Sequence, residues 1–414
     1  MATCQAPDRY VAATRQLGPT RLPGRNRDII AIEMNRRTAL SLFAAHAAAS
    51  PLLKADVMDQ DVNGPINVHE FEEVAKRKLH KLAYDFIAGG VEDERTLRSN
   101  VEAIGHWDLV PRFMVDVTNV DLSLDLFGLK LASPIIISPT GGKDLVMPGA
   151  EEIVARAALN SKTLLCSATG AKKILDAGEP LQWWINGIGQ PNKAAAVNFA
   201  KRTEDGGGKA IVLTVDNAYQ SNRDRNNRNR FDYGMMRTGA PKPGEAPRAP
   251  VNPARAAMWL PHTPGLTWDY IDWVRSASNL PIILKGILAP EDAELAVQRG
   301  ASGISVSNHG GRQLDGAIGT LDALPDVVEA VSGRIPVLVD GGLRRGNDIL
   351  KALALGARAV LVGRAPLWGL GAFGQPGVER VMWMLNAELK LAMALAGQPN
   401  LGTITRRLVR KHMA

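Results

Sequence analysis

"PVLVDGGLRRGNDILKALALGARAVLVGRAP", residues 336–366, joins two short apolar, β-rich runs (336–342 and 359–364) through a helical pattern that stops on Gly356. Apolar runs without alternation belong to strands buried on both faces, and a helix between two of them is the crossover that a parallel pair requires. Glycine is the usual helix stop. The same rhythm extends towards the N-terminus: "PIIISPT" (134–140), "TLLCSA" (163–168), "QWWING" (182–187), "AIVLTVD" (210–216), "PIILKG" (281–286) and "GISVSN" (303–308), with helical stretches such as "PEDAELAVQRG" (290–300) between them. Eight such strands predict an α/β fold, a (β/α)8 TIM barrel; a doubly wound open sheet is the alternative.

Ahead of the first strand, "NVHEFEEVAKRKLHKLAYDFIAGG" (67–90) carries Phe71, Val74, Leu79, Leu82 and Phe86 at helical spacing and predicts an N-terminal helical cap. One spacing is abnormal. Residues 217–280, between strands four and five, exceed what a crossover needs, and "GAPKPGEAPRAPVNPA" (239–254) is dense in Pro, Ala and Gly. Residues 217–265 are therefore expected to form a lid over the C-terminal mouth, with a surface loop of no role as the alternative.

The formal charge of +7 suggests a polyanion until it is divided. Residues 1–55 hold eight Lys/Arg against three Asp/Glu, a net of +5, which leaves +2 for the body at 56–414. A nearly neutral body argues against a nucleic-acid partner. "MNRRTALSLFAAHAAASPLLKA" (34–55) reads as a twin-arginine export signal, so the expected location is periplasmic, otherwise cytoplasmic, and translation is expected to start at Met34. Two cysteines, Cys4 and Cys166, allow neither a disulfide framework nor a metal cluster, so no metal is expected.

A barrel's chemistry gathers at the C-terminal ends of its strands. Here those positions read Thr140, Ser167, Thr214, Asp216, Lys285, Ser307, His309, Asp340 and Arg364. Each has a plain explanation as a cap or turn residue, but together they make a set of anion-binding groups with one lysine and one histidine. "DGGLRRG" offers Gly341, Gly342 and Arg344 or Arg345, and "VGRAP" offers Gly363 and Arg364; loops seven and eight are where barrels hold phosphate, aided by a helix N-terminus. His309 stands in "ISVSNHGGRQLDG" (304–316), where Gly-Gly alone would make it a turn residue.

From about Asn67 to Ala396 the chain resembles the FMN-dependent 2-hydroxy acid oxidases and dehydrogenases, on "YDFIAGGVEDERTL", "LPIILKGI", "SNHGGRQLDG", "DGGLRRGNDILKALALGA" and "VGRAPLWGL". The resemblance implies FMN as cofactor and oxidation of an L-2-hydroxy acid to the 2-oxo acid. It implies His309 as base, Asp216 behind it, Arg223 and Arg312 on the substrate carboxylate, and Lys285 beside the flavin. Against the cofactor it implies Pro139, Thr140, Gly141, Ser167, Thr214, Lys285, Ser307, Asp340, Gly341, Gly342, Arg344, Gly363 and Arg364. The alternatives are another redox reaction on the same barrel, or a flavin- or ligand-binding protein without turnover. The electron acceptor is left open between oxygen, a quinone and a cytochrome, and the resemblance implies a homo-oligomer, with a tetramer as the family's common form.

The match departs from the family in three places. Phe86 replaces the tyrosine of the first helix. "QWWINGIG" is read as placing Ile185 and Gly187 where the family has a glutamine and a tyrosine, leaving a void at Gly187. "CSATGAKK" is too short to carry the family's tryptophan after strand two. The void at Gly187 would admit a bulkier substrate, or Tyr219 or Tyr233 from the insertion would supply a replacement hydroxyl. In "NRDRNNRNR" (222–230), Arg223 is the substrate arginine, while Arg225, Arg228 and Arg230 are read as solvated or salt-bridged.

Overall fold

The computed structural model describes residues 57–168, 181–189, 192–231, 233–239 and 262–412; the leader, most of "CSATGAKK" after strand two, and residues 240–261 of the insertion lie outside that set. Eight parallel strands close into a barrel in sequence order: Ile135–Ile137, Leu165–Ser167, Trp183–Ile188, Ile211–Thr214, Ile282–Ile287, Gly303–Val306, Val337–Asp340 and Ala359–Val362, the last pairing with the first. All eight strands read from the sequence are present, and the open-sheet alternative falls.

Alternation along each strand divides the core in two. Ile136, Cys166, Trp184, Val212, Ile283, Leu338 and Leu361 fill the barrel, while Ile135, Ile137, Leu165, Trp183, Ile185, Ile211 and Leu213 face the surrounding helices. An antiparallel hairpin, Leu124–Leu126 with Leu129–Leu131, packs against the interior set. Its turn residue Phe127 meets Trp184 edge-on, ring centroids 5.7 Å apart.

This alternation decides what lies next along each strand. Two residues beyond the interior plug come Ser138, Ala168, Asn186, Thr214, Lys285, Ser307, Asp340 and Gly363, the layer from which the mouth is built. It also corrects two sequence readings. Ile185 and Gly187 share Trp183's outward face, so the amide presented inward by strand three is Asn186, whose Oδ1 accepts from Thr214 Oγ1 at 2.6 Å. Ile185, Gly187 and Phe199 still border the cavity described below, but the place beside Gly187 is taken: a Cβ there would stand 2.7 Å from the ring of Phe199 on the helix Lys193–Asp205.

The expected cap consists of helices Val68–Lys78, Lys81–Ala88 and Arg95–Gly105. Asn67 caps the first, accepting from Glu70 N. The second ends at the barrel mouth, where its C-terminal carbonyls receive arginine donors, the charge that a helix C-terminus favours. Among the described residues no helix is long and apolar enough to cross a membrane. Trp184→Ala should leave a cavity between plug and hairpin and cost about 3–5 kcal/mol, read as a lowered midpoint in chemical denaturation.

Candidate active site

The fifth strand carries the residue on which the rim depends. Lys285 and Asp340 are 4% and 6% exposed, and their Nζ and Oδ2 stand 3.1 Å apart. Between them, the Ser307 hydroxyl accepts from Lys285 Nζ at 2.9 Å and from His309 N at 3.1 Å, and donates to Asp340 Oδ1 at 2.8 Å. One donor and two lone pairs are all used. Burial opposes the lysine's charge, but Asp340 and Asp216 hold its pKa above the ordinary value.

His309 Nδ1 lies 2.9 Å from Asp216 Oδ1. A carboxylate can only accept, so Nδ1 carries the proton and the neutral ring presents Nε2 as a free base. Withdrawal from solvent pulls the His309 pKa below its usual value, with Lys285 and Arg223 adding to the fall; Asp216 opposes it without reversing it. Burial raises and His309 lowers the pKa of Asp216, which ends below the usual carboxylate value.

The backbone supports this pair at two unusual points. Gly286, at φ +116°, forms the irregularity after Lys285 that shifts the register with strand six, and a Cβ there would lie 2.7 Å from Asp216 Cβ. His309 itself is left-handed at φ 58°, as are Gly310 and Gly311. A non-glycine residue held there costs of order 1–3 kcal/mol. Gly311 is the close approach in that turn, for a Cβ would meet the Leu97 backbone at 2.6 Å. Asn308 braces the turn: its Oδ1 accepts from Gly311 N at 3.0 Å, and its amide pairs reciprocally with buried Asn100.

These residues open on a cavity of 1530 Å³. That exceeds the roughly 300–1,000 Å³ of an ordinary single-ligand site and leaves room for a cofactor with a substrate. Thr140, Asn186, Thr214, Lys285, His309, Asp340, Gly341, Gly342 and Gly363 line it, together with five arginines, Arg202, Arg223, Arg312, Arg344 and Arg364. None of the last four makes an ion pair among the described residues; their partners are neutral. Arg312 donates to the carbonyls of Phe86 and Gly89 at 2.6 and 2.8 Å, and Arg364 to those of Ile87, Gly310 and Gly89 at 2.8, 2.8 and 3.0 Å. Burial and the adjacent Arg344 press the Arg364 pKa down to about 9, so it still carries its charge at neutral pH.

Pro139 and Gly141 line the cavity; Asp216 and Ser307 stand behind it, holding residues that do. Ser167 is on the helix-facing side, and its hydroxyl donates to Glu151, which also pairs with Lys143 at 2.7 Å. The helix at Gly346–Ala354 offers little to an anion in its first turn, since Asp348 takes the N–H groups of Arg344 and Arg345, and Glu388 takes that of Gly346. Phe86 reaches the cavity with Arg312 over its ring at 5.0 Å. Arg225 pairs with Glu94 at 2.6 Å. Tyr233 lines the cavity, and Tyr219 does not. Sequence reading missed Asn186, Gln220 and His262, all on the cavity wall. Strand parity would have given the first; nothing local marks the other two.

The family model described as FMN-dependent dehydrogenase matches residues 75–411. The chain belongs to that family. It is 43% identical over 358 residues to a peroxisomal (S)-2-hydroxy-acid oxidase of Oryza sativa subsp. japonica, covering 83% of this chain and 95% of the relative. It is 40% identical over 349 residues to an L-lactate oxidase of Nostoc sp., covering 81% and 95%. A solved mandelate oxidase structure with (S)-4-hydroxymandelic acid superposes with a TM-score of 0.78 at 37% identity, over 84% of this chain and 100% of the other. Membership makes FMN the cofactor and the protein an oxidoreductase acting on a CH–OH group.

The site fits that group. Neighbouring guanidiniums without carboxylate partners suit an anion such as a phosphate, and the charged Lys285 lines the same cavity. Arg344→Met or Arg364→Met should each weaken FMN binding about ten- to a hundredfold, measured by flavin fluorescence on titrating the apoprotein.

Proposed function

We propose that the protein oxidises an (S)-2-hydroxy acid to the 2-oxo acid, with His309 as the base. The observation that carries this reading is the Asp216–His309 pair opening on a cavity that two unpaired guanidiniums, Arg223 and Arg312, also face. A planar guanidinium binds a carboxylate through two parallel hydrogen bonds, and two of them fix the acid's orientation. Arg223 is held for this by Ser221 Oγ at 2.9 Å from its Nε, leaving its terminal nitrogens to the cavity.

Bound FMN supplies the acceptor for the electron pair and the second hydrogen. His309 Nε2 takes one proton from the substrate. Asp216 keeps that nitrogen free beforehand and stabilises the imidazolium afterwards. Lys285 offers positive charge to the cofactor edge. Gly341, Gly342, Arg344, Gly363 and Arg364 hold the phosphate, and Pro139, Thr140, Gly141, Thr214 and Asn186 line the flavin's path. That the relatives are named oxidases supports oxygen as electron acceptor over a quinone or cytochrome.

The test is anaerobic mixing of FMN-loaded protein with lactate, mandelate and longer 2-hydroxy acids while oxidised flavin absorbance is followed. One of them should bleach the flavin, and His309→Ala should abolish the change although dithionite still reduces it. Asp216→Asn should slow reduction about 10²–10⁴-fold. The base works unprotonated and its pKa lies below the usual ~6.5, so the rate constant should be level at neutral pH and fall only as pH drops below about 6.5. A rate still climbing between about pH 7 and 8 would count against His309.

A further inference from the structure

The described part of the insertion gathers three polar side chains on the cavity wall. Gln220 Nε2 donates to the Tyr233 oxygen at 2.6 Å, and His262 Nε2 lies 2.8 Å from Gln220 Oε1. All three line the cavity. Gln220 comes from the start of the insertion and His262 from its end. They are brought together where His262 N and Thr263 N both donate to Ala218 O at 2.9 Å. The Tyr233 ring is fixed by an edge-on contact with Phe231 at 5.3 Å, and Phe231 stacks on Phe86 at 4.8 Å.

Proton counting gives this chain a direction. An amide nitrogen only donates, so the Tyr233 oxygen accepts, and the phenol's own proton has no acceptor among the described residues. Gln220 Oε1 only accepts, so the proton between it and His262 sits on Nε2. Arg223 and Arg312 line the same cavity, and Arg312 lies 5.0 Å over the ring of Phe86, on which Phe231 stacks.

We propose that Tyr233 donates its phenol proton to the substrate carboxylate beside Arg223 and Arg312, and that Gln220 and His262 are positioning residues that aim it. Phe86 lacks a hydroxyl, and the insertion provides one on Tyr233, two rings away through Phe231. The inference rests on the 2-hydroxy acid reading of the site. It gives the insertion a part in recognising the acid group.

Oxalate, a planar dicarboxylate with no hydrogen to lose, is the probe, followed by perturbation of the flavin spectrum of FMN-loaded protein. Tyr233→Phe should weaken oxalate binding about ten- to a hundredfold, with FMN content and melting temperature unchanged. Gln220→Leu should weaken it less. The double variant should bind no more weakly than Tyr233→Phe alone, because the amide acts only through the phenol. Equal affinity in Tyr233→Phe and wild type would mean that the phenol spends its proton on Gln220 instead, and would overturn the proposal. So would losses that simply add. A wild-type flavin that 2-hydroxy acids reduce, with Tyr233→Phe binding oxalate normally, sinks this proposal alone; a wild type that neither binds oxalate nor is reduced sinks the functional reading with it.

Discussion

Arg312 and Arg364 are held in the barrel mouth by neutral carbonyls, and the rest of the site follows from that choice. A carboxylate in the same place would have neutralised them. Carbonyls from Phe86 to Gly89 and from Gly310 fix the guanidiniums in position and leave their charge unspent. The same hydrogen bonds tie the end of helix Lys81–Ala88 to the loops after strands six and eight, so the N-terminal cap and the anion-binding surface are one construction. Lys285 is different in kind. Its partner is Asp340, and it contributes a compensated charge whose direction, more than its magnitude, matters to a ligand in the barrel axis.

The stretch from Ser307 to Asp315 shows how much one loop can be asked to do. Ser307 joins Lys285 to Asp340, Asn308 reaches Asn100, His309 meets Asp216, Gly310 receives Arg364, Arg312 holds the cap, and Gln313 donates to Asp216 O and Asn217 Oδ1 at 3.1 and 2.5 Å. Asp315 accepts from Thr96 N at 2.9 Å. With nearly every residue bonded outward, the left-handed conformation of His309 is over-determined by its surroundings. A loosely held loop would relax it.

The barrel was legible in the sequence because continuous apolar strands with glycine-stopped helices leave few other packings. The rim was legible because polar residues at the ends of apolar strands have no packing reason to be there. Legibility failed where a single residue of register decided the outcome. In "QWWING" two tryptophans are equally apolar, and both are buried, one in the plug and one against the helices, so hydrophobicity does not say which points inward. A slip of one exchanges the faces, and Asn186 was passed over for its neighbours. Ser167 failed for the same reason, being one residue from the inward column. The Gln220–Tyr233–His262 chain was out of reach for another: its ends are 42 residues apart, and only the pairing at Ala218 brings them together.

That pairing at Ala218 has an evolutionary corollary. Because the chain leaves and re-enters the barrel through one hydrogen-bonded neck, the segment beyond it is bounded by fixed anchors. Changing the length of a loop between fixed anchors costs only about 0.6 kcal/mol per doubling. The residues between Gly239 and His262 can thus change in sequence and length while Asp216, Gln220, Arg223, Tyr233 and Lys285 keep their places. Sequence diversity can accumulate in that stretch without disturbing the chemistry at the strand ends.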